Sequence, residues 1–241
     1  ILKCERLVLP GVGAAGQSLM YMREASLDEA LRETVLEKGV PMLGICLGMQ
    51  MLADKLYEFG EHDGLGLIPG EVVKIEDVVE KVLHVPHMGW NKVNFEGGGE
   101  KFGARVGSRR EFYFAHSYTF RTKEKKHIAA LVDYPSPLVA AVLSDNIFAT
   151  QFHPEVSHTE YGTDMLENFL FKIASCNANW TPDNFINQQV NLIREEVGNS
   201  NVLIGVSGGV DSSVVAAIIN KAIGDKARAV LIDHGLMRKN E

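Results

Sequence analysis

Apolar residues fall along this chain in two rhythms. Short apolar or alternating runs, closed by Gly, Pro, Asn or Asp, occur at 2–9, 41–45, 72–75, 81–85, 111–115, 118–121, 127–132, 138–143, 147–152, 202–206 and 229–233. Runs of this length and make-up predict strands. Between them the spacing lengthens to three and four. Leu27, Leu31 and Val35 form one stripe after Ser26-Leu27-Asp28-Glu29, which has the composition of a capping box, and Gly39 closes it. Residues 49–56 and 161–174 read as helices, the second with Met165, Leu166, Phe169, Leu170 and Ile173 on its apolar side. Thr181-Pro182 is an N-cap followed by Pro at the first helical position; Ile186, Val190, Ile193 and Val197 line the helix that Gly198 ends. A last helix carries Val214, Val215, Ile218 and Ile219. Residues 86–91 read as a loop, Gly97-Gly98-Gly99 as a flexible tip and 175–180 as a linker. The alternation predicts an α/β fold: an open, mostly parallel sheet with helices on both faces, then the start of a second α/β domain. The bounds expected are 1–174 for the first domain, 175–200 for a linker and helix, and 201–241 for the second.

Composition narrows the class. At 241 residues and 46% apolar content the chain can build a real core. Net charge is 24 − 31 = −7, which disfavours a nucleic-acid surface. Cys4, Cys46 and Cys176 are odd in number and widely spaced, so a reducing, cytoplasmic setting is expected rather than a disulfide framework. Neither a signal peptide nor a run of 18 apolar residues occurs, so no membrane partner is expected.

The chemistry starts at Gly44-Ile45-Cys46-Leu47-Gly48, between an apolar strand and a helix-like run. That is the grammar of a nucleophile elbow. The flanking glycines suit a turn too tight for neighbouring Cβ atoms, and the thiol faces a helix N-terminus that favours a thiolate. A base is available in Gln151-Phe152-His153-Pro154-Glu155. In extended backbone, residues i and i+2 share a side. Glu155 can then fix the tautomer of His153, whose other ring nitrogen faces the thiol. Cys46, His153 and Glu155 are the expected catalytic triad.

Gly-Ile-Cys-Leu-Gly-Met-Gln at 44–50 and His-Pro-Glu at 153–155 resemble the class I glutamine amidotransferases. More narrowly, Leu9-Pro10-Gly11-Val12-Gly13, Pro86-His87-Met88-Gly89-Trp90-Asn91 and His116-Ser117-Tyr118 resemble the glutaminase subunit of imidazole glycerol phosphate synthase, over residues 1–155. The resemblance implies hydrolysis of glutamine to glutamate and ammonia without a cofactor or metal, the ammonia passing to a synthase domain or subunit. It implies an oxyanion hole from Val12, Gly13 and the N–H of Leu47, and glutamine binding by Gln50, His116, Ser117 and Tyr118. From the sequence alone Pro10–Gly13 reads as an ordinary turn, and Gln50 reads equally as a solvent-facing residue. The 86–91 loop is an interface candidate, with a core-capping Trp90 as the plainer alternative.

A second signature follows the strand at 202–206. Ser207-Gly208-Gly209-Val210-Asp211-Ser212-Ser213 opens a helix, and its small residues let backbone N–H groups approach an anion. No Gly-Lys-Ser/Thr follows, so it is not a Walker A loop. It resembles the Ser-Gly-Gly-x-Asp-Ser signature of the N-type ATP pyrophosphatases, which implies ATP with Mg²⁺. From Val156 onward, Val156-Ser157-His158-Thr159, Trp180-Thr181-Pro182 and Asp233-His234-Gly235-Leu236 resemble glutamine-hydrolysing GMP synthase.

The two resemblances meet at His153-Pro154-Glu155, which both families share. The amidotransferase fold's first βαβ is expected to be missing before Ile1, and the ATP domain to stop after one βαβ. A fragment, a chimera and a gene-model error all fit, and so does a natural fusion. Domain order puts GMP synthase first as the parent system. A glutaminase subunit docking on a separate cyclase in histidine synthesis is second, and a catalytically silent binding or assembly fragment third. A chain ending at Glu241 is expected to bind ATP phosphates weakly and to make no GMP.

Overall fold

Buried residues separate by alternation along the strand that leads to Cys46. In β2 (Met42–Ile45) all four residues are buried. Met42 packs with Leu19, Leu31, Val35 and Leu52 on one side, while Leu43 packs with Phe102, Phe112 and Phe169 on the other. A strand buried on both faces needs helices on both faces. The computed structural model describes residues 1–79, 84–104, 106–107 and 109–231, and the chain divides into two units, Ile1–Cys176 and Asn177–Glu241.

The first unit is mixed α/β. After β1 (Leu7–Leu9) come α1 (Ala15–Glu24) and α2 (Leu27–Arg32), then β2, α3 (Leu47–Gln50), β3 (Lys55–Leu56), β4 (His62–Asp63), β5 (Gly70–Lys74) and β6 (His87–Phe95). The rest is α4 (Gly99–Phe102), β7 (Arg110–His116), β8 (Tyr118–Thr122), β9 (Ile128–Tyr134), β10 (Ser136–Ser144), β11 (Ile147–Thr150) and α5 (Gly162–Glu167). The main sheet runs β1-β2-β11-β10-β9-β6-β7, and a smaller one β4-β3-β5-β8. Pairing is parallel across β1, β2 and β11, the end that carries Cys46. It is antiparallel from β11 through β10, β9, β6 and β7. Connection length decides this: β9, β10 and β11 follow one another through tight turns, which reverse direction, whereas α1 and α2 provide the crossover that parallel strands need. In the second unit, β12 (Val202–Val206) and β13 (Ala227–Leu231) pair in parallel, with α7 (Val210–Ile223) between them in sequence and α6 (Pro182–Val197) ahead of them. Thr181 caps α6 by accepting the N–H of Asn184.

Several local expectations are corrected. The first strand is Leu7–Leu9 rather than 2–9, because only those residues find partners, in Met42–Gly44. Helix α1 carries Leu19 into the core but has no strong apolar stripe, and the sequence pattern predicts no element there. The capping box at Ser26 does not form. Ser26 is left-handed (φ 51°) and its N–H bonds Arg23 O, so it closes α1 and its hydroxyl is not placed to cap α2. The helix expected at 49–56 stops at Gln50, since Lys55 and Leu56 are taken up by β5. Residues 87–91 are strand, paired from His87↔His116 to Asn91↔Phe112; Pro86 and Gly89 mimic loop signals. Gly98 and Gly99 are not a free tip: a Cβ on Gly99 would fall 2.1 Å from Ala129 O. The helix expected at 161–174 is α5 followed by a π turn over Asn168–Ile173. Of the strand expected at 81–85, residues 81–83 lie outside the described residues, as do Asp233-His234-Gly235-Leu236 and the end of the strand expected at 229–233.

Gly48 is where the packing is tightest. A Cβ there would lie 1.8 Å from the carbonyl oxygen of Leu9. No side-chain rotation relieves a backbone clash, so β1 would have to leave β2. Gly48→Ala is expected to destabilise the first unit by about 3 kcal/mol or more. Chemical denaturation of the variant beside the parent checks this.

Candidate active site

The elbow is built from three constraints on one residue. Cys46 sits at φ 54°, ψ −111°, a backbone state that costs a non-glycine residue roughly 1–3 kcal/mol. Its N–H donates to Thr150 O at 2.7 Å, tying the turn to the end of β11. Gly44 faces Ala149, where a Cβ would approach to 2.9 Å, and Gly48 faces Leu9. The turn therefore lies wedged between β1 and β11, with the sulfur at its tip.

The polypeptide leaving β11 brings the next groups. His153 N–H donates to Tyr113 O at 3.0 Å. Its Nδ1 lies 2.8 Å from Glu155 Oε1, with the ring largely enclosed and the carboxylate half exposed. Two effects raise the His153 pKa to about 9: the Cys46 sulfur hydrogen-bonded to it contributes most, Glu155 adds to it, and burial opposes both. A carboxylate on one nitrogen and a sulfur as the other neighbour hold the ring as imidazolium near neutral pH.

A cavity of about 560 Å³ opens onto the sulfur. Val12, Gly13, Leu47, Gln50, His116, Ser117, Tyr118 and His153 line it with Cys46; Glu155 is not in the lining and reaches the site through His153. Leu47 is the first residue of α3, so its N–H has no acceptor within the helix. Gly13 is at φ 91° and Val12 is 87% exposed, so this loop is held by few side-chain contacts. His116 sits deeper than the sequence indicates. Its Nδ1 faces Tyr118 O at 2.7 Å and its Nε2 faces His87 Nδ1 at 2.9 Å. Burial pushes its pKa down to about 3, so it is neutral. Neither ring nitrogen is left over. Gln50 is buried, and its Nε2 donates to Tyr118 O at 3.2 Å and to Gln151 Oε1 at 2.9 Å.

Some residues of the site escape sequence reasoning. Glu58 lines the cavity, and its Oε2 accepts the N–H of Ala15 at the start of α1. Phe59 lines it too, at φ 54° and 88% exposed. Both lie in a Gly-rich stretch without periodicity. His87 is stacked 3.9 Å from Tyr134 and 4.7 Å from Phe114 behind the wall. Gln151 did carry a signal: the alternation that pairs His153 with Glu155 also puts Gln151 on that side.

In the second unit, the loop Ser207–Ser213 is stitched by its own hydroxyls. Ser207 N–H donates to Ser212 Oγ at 3.2 Å, and Ser212 Oγ and Ser213 Oγ donate to Gly209 O at 3.1 and 2.8 Å. Gly208 is at φ 82°. Helix α7 starts at Val210 with no side-chain cap on its N–H groups, and Asp211 is in its first turn. Among the described residues, no group of three or more His, Cys, Asp or Glu side chains is placed to hold a metal ion, and no helix is long and apolar enough to cross a membrane.

An elbow cysteine beside a largely enclosed histidine, on a sheet covered by helices on both faces, defines a class that sequence comparison identifies. Residues 4–173 match the model of the family "Glutamine amidotransferase class-I", and this chain belongs to that family. Residues 183–240 match the model described as NAD synthase. The chain is 45% identical over 168 residues to imidazole glycerol phosphate synthase subunit HisH of Helicobacter hepaticus, covering 69% of this chain and 75% of that protein. It is 35% identical over 231 residues to the glutamine-hydrolysing GMP synthase of Streptococcus mutans, covering 95% of this chain but only 40% of that protein. A solved glutamine amidotransferase, 19% identical, shares the fold with a TM-score of 0.53 over 70% of this chain and 79% of its own. Both resemblances seen in the sequence hold, and the one to GMP synthase runs across both units.

Cys46 is less accessible than Cys4, which is exposed; Cys176 is also partly buried. If the site selects by chemistry rather than access, a glutamine-analogue alkylator labels Cys46 first and spares Cys4 and Cys176. Peptide mapping after partial labelling checks this; equal labelling of all three would show an untuned thiol.

Proposed function

We propose that the first unit hydrolyses glutamine to glutamate and ammonia through Cys46, His153 and Glu155. The observation that carries this reading is the His153 ring, bound by Glu155 on Nδ1 and set beside the Cys46 sulfur at the mouth of the cavity. The sulfur attacks the side-chain amide carbon, forming C–S. Negative charge passes to the carbonyl oxygen, where the N–H of Leu47 and the Val12-Gly13 backbone are the expected donors. His153 gives its proton to the nitrogen as C–N breaks, and ammonia leaves a thioester. Water then attacks while His153 takes its proton, and glutamate departs with the thiol restored. Gln50 and the His116-Ser117-Tyr118 segment orient the substrate. No metal or cofactor enters this chemistry.

The ammonia is proposed to pass to a synthase domain or subunit in the cytoplasm. Similarity to GMP synthase across both units favours that parent system; the higher identity of the first unit to a HisH subunit keeps a separate cyclase as the second reading. The loop Ser207–Ser213 is proposed to hold ATP phosphates. Val210, Asp211 and Ser212 begin a helix whose first N–H groups lack side-chain caps, and Ser207, Gly208, Gly209 and Ser213 shape the approach. Asp211 would face the accompanying Mg²⁺. ATP supplies an activating group when bound. These residues bind and orient its phosphates.

Kinetics test the first unit. Cys46→Ala is expected to abolish glutamate release from glutamine, measured with and without ATP and candidate synthases. His153→Asn is expected to lose about 10²–10⁴-fold, and Glu155→Gln less, because one transfers protons and the other orients the ring. The raised His153 pKa means the imidazolium persists below about 9 and is lost above it. The rate should therefore fall on an alkaline limb near pH 9. The stability that this charge contributes is complete below the ordinary value of 6.5 and lost as pH rises through about 9. A parent chain that releases no glutamate under any condition would favour the silent-fragment reading.

Nucleotide binding tests the second unit. At φ 82°, Gly208 tolerates no side chain without strain of about 1–2 kcal/mol. Gly208→Ala is expected to weaken Mg-ATP binding by about tenfold, and Asp211→Ala to remove its Mg²⁺ dependence. Calorimetric titration reads both.

A further inference from the structure

Gln151 is fully buried at the end of β11. A buried amide requires partners for both its ends. Its Nε2 lies 3.7 Å from Cys46 Sγ, within hydrogen-bond range for sulfur, and its Oε1 accepts from Gln50 Nε2 at 2.9 Å. An amide can be turned end for end at little steric cost, so its direction has to be decided by its neighbours. Here a main-chain carbonyl decides it. Tyr118 O can only accept, so Gln50 turns its nitrogen that way. That nitrogen carries two hydrogens, and the second goes to Gln151. Gln151 can then receive only through Oε1, which leaves an N–H aimed at the sulfur. Unlike Gln50, Gln151 is not in the lining of the glutamine cavity.

We propose that Gln151 is a positioning residue for the nucleophile: a relay from the Tyr118 carbonyl through Gln50 and Gln151 holds an amide N–H against the Cys46 sulfur. A hydrogen bond to a charged acceptor is worth more than one to a neutral acceptor, so the donor favours thiolate over thiol. His153 is the sulfur's other neighbour, and the amide N–H restricts the rotamer from which the sulfur attacks. Glutamine rather than an aliphatic residue is required, because only an amide accepts at one end and donates at the other. The inference rests on Cys46 being the nucleophile.

The test uses the whole chain and a neutral alkylator, iodoacetamide, with no glutamine present. The rate of Cys46 modification is followed against pH by peptide mapping, with Cys4 as an internal control. Gln151→Glu keeps the shape and the acceptor for Gln50 but turns a negative oxygen toward the sulfur. The expected result is a rise of about one unit or more in the pH midpoint of Cys46 alkylation. The rate at neutral pH falls about tenfold, and Cys4 is unchanged. Gln50→Glu should move the midpoint the same way without touching the sulfur, because Gln151 would turn its N–H to the new carboxylate. If Gln151→Glu lowers the melting temperature markedly, Gln151→Met, which removes the donor without adding charge, should still raise the midpoint. In a folded variant, kcat for glutamine falls while KM holds. A purely structural role moves stability and leaves the alkylation midpoint where it was. A Cys46 profile unchanged in folded Gln151→Glu or Gln151→Met overturns the relay. Variants that show the alkylation shift beside a parent chain that releases no glutamate would instead overturn the glutaminase reading, so the two failures are distinct.

Discussion

The structure of the first unit depends on a close approach of backbone to backbone at the elbow. Gly48 lies so near the Leu9 carbonyl that only a hydrogen fits on its Cα. That contact fixes the distance between β1 and α3. Cys46 N–H to Thr150 O fixes the distance between the turn and β11. With both set, Cys46 is forced to positive φ and its sulfur has one place to be. The neighbouring parallel strands then deliver their ends to that place. β1 hands on the Val12-Gly13 loop, and β11 hands on Gln151 and His153. Loss of the contact would not merely loosen one turn; it would separate the groups that this order of strands assembles.

Electrostatics divides the histidines of this region by burial and partners. His116 is neutral because it is enclosed, with the Tyr118 carbonyl at its Nδ1 working against that shift. His87 is held below its ordinary value by burial, with the Asn91 side chain working against the shift. His153 alone has a negative partner on one nitrogen and a sulfur as its other neighbour, and it rises. Three imidazoles in and behind one wall thus carry a single positive charge, beside the Cys46 sulfur. If His116 were also charged, His153 would face a like charge, which its own lowering by His153 already registers. A neutral wall beside His153 leaves the charge at the Cys46 sulfur, where the proposed hydrolysis would place the reacting carbonyl.

Legibility tracked the range of the interactions involved. The turns at Gly44–Gly48 and Gln151–Glu155 are local, so spacing and alternation were enough to expect Cys46 at a strand-to-helix turn and His153 beside Glu155. Both helix-covered faces of the sheet were also readable, from unbroken apolar runs such as Met42–Ile45. Misreadings occurred where a distant partner overruled a local pattern. Leu56 looks helical until β5 claims it. Ser26 looks like an N-cap until α1 needs a left-handed residue to end on. Pro86 and Gly89 look like loop until Ala115, His116 and Phe114 pair with that segment. Gln151 stood in plain alternation with His153, but its role requires Gln50 and Tyr118, which lie far away in sequence.

Strand β6 shows why function resists reading at such places. His87 is buried, stacked on Phe114 and Tyr134, and bonded to His116 in the cavity wall. One residue on, Met88 is 61% exposed and lines the mouth of the same cavity; two further on, Trp90 is 41% exposed against Tyr113. Alternation along a strand assigns those residues to opposite sides by geometry alone. The side holding His87 is committed to the histidine pair. The side holding Met88 and Trp90 remains at the surface beside the site. A single stretch therefore carries both a buried polar latch and an exposed apolar strip. Gly89, read as a loop signal, stands inside this strand at φ 128°, a backbone conformation that residues with side chains rarely reach.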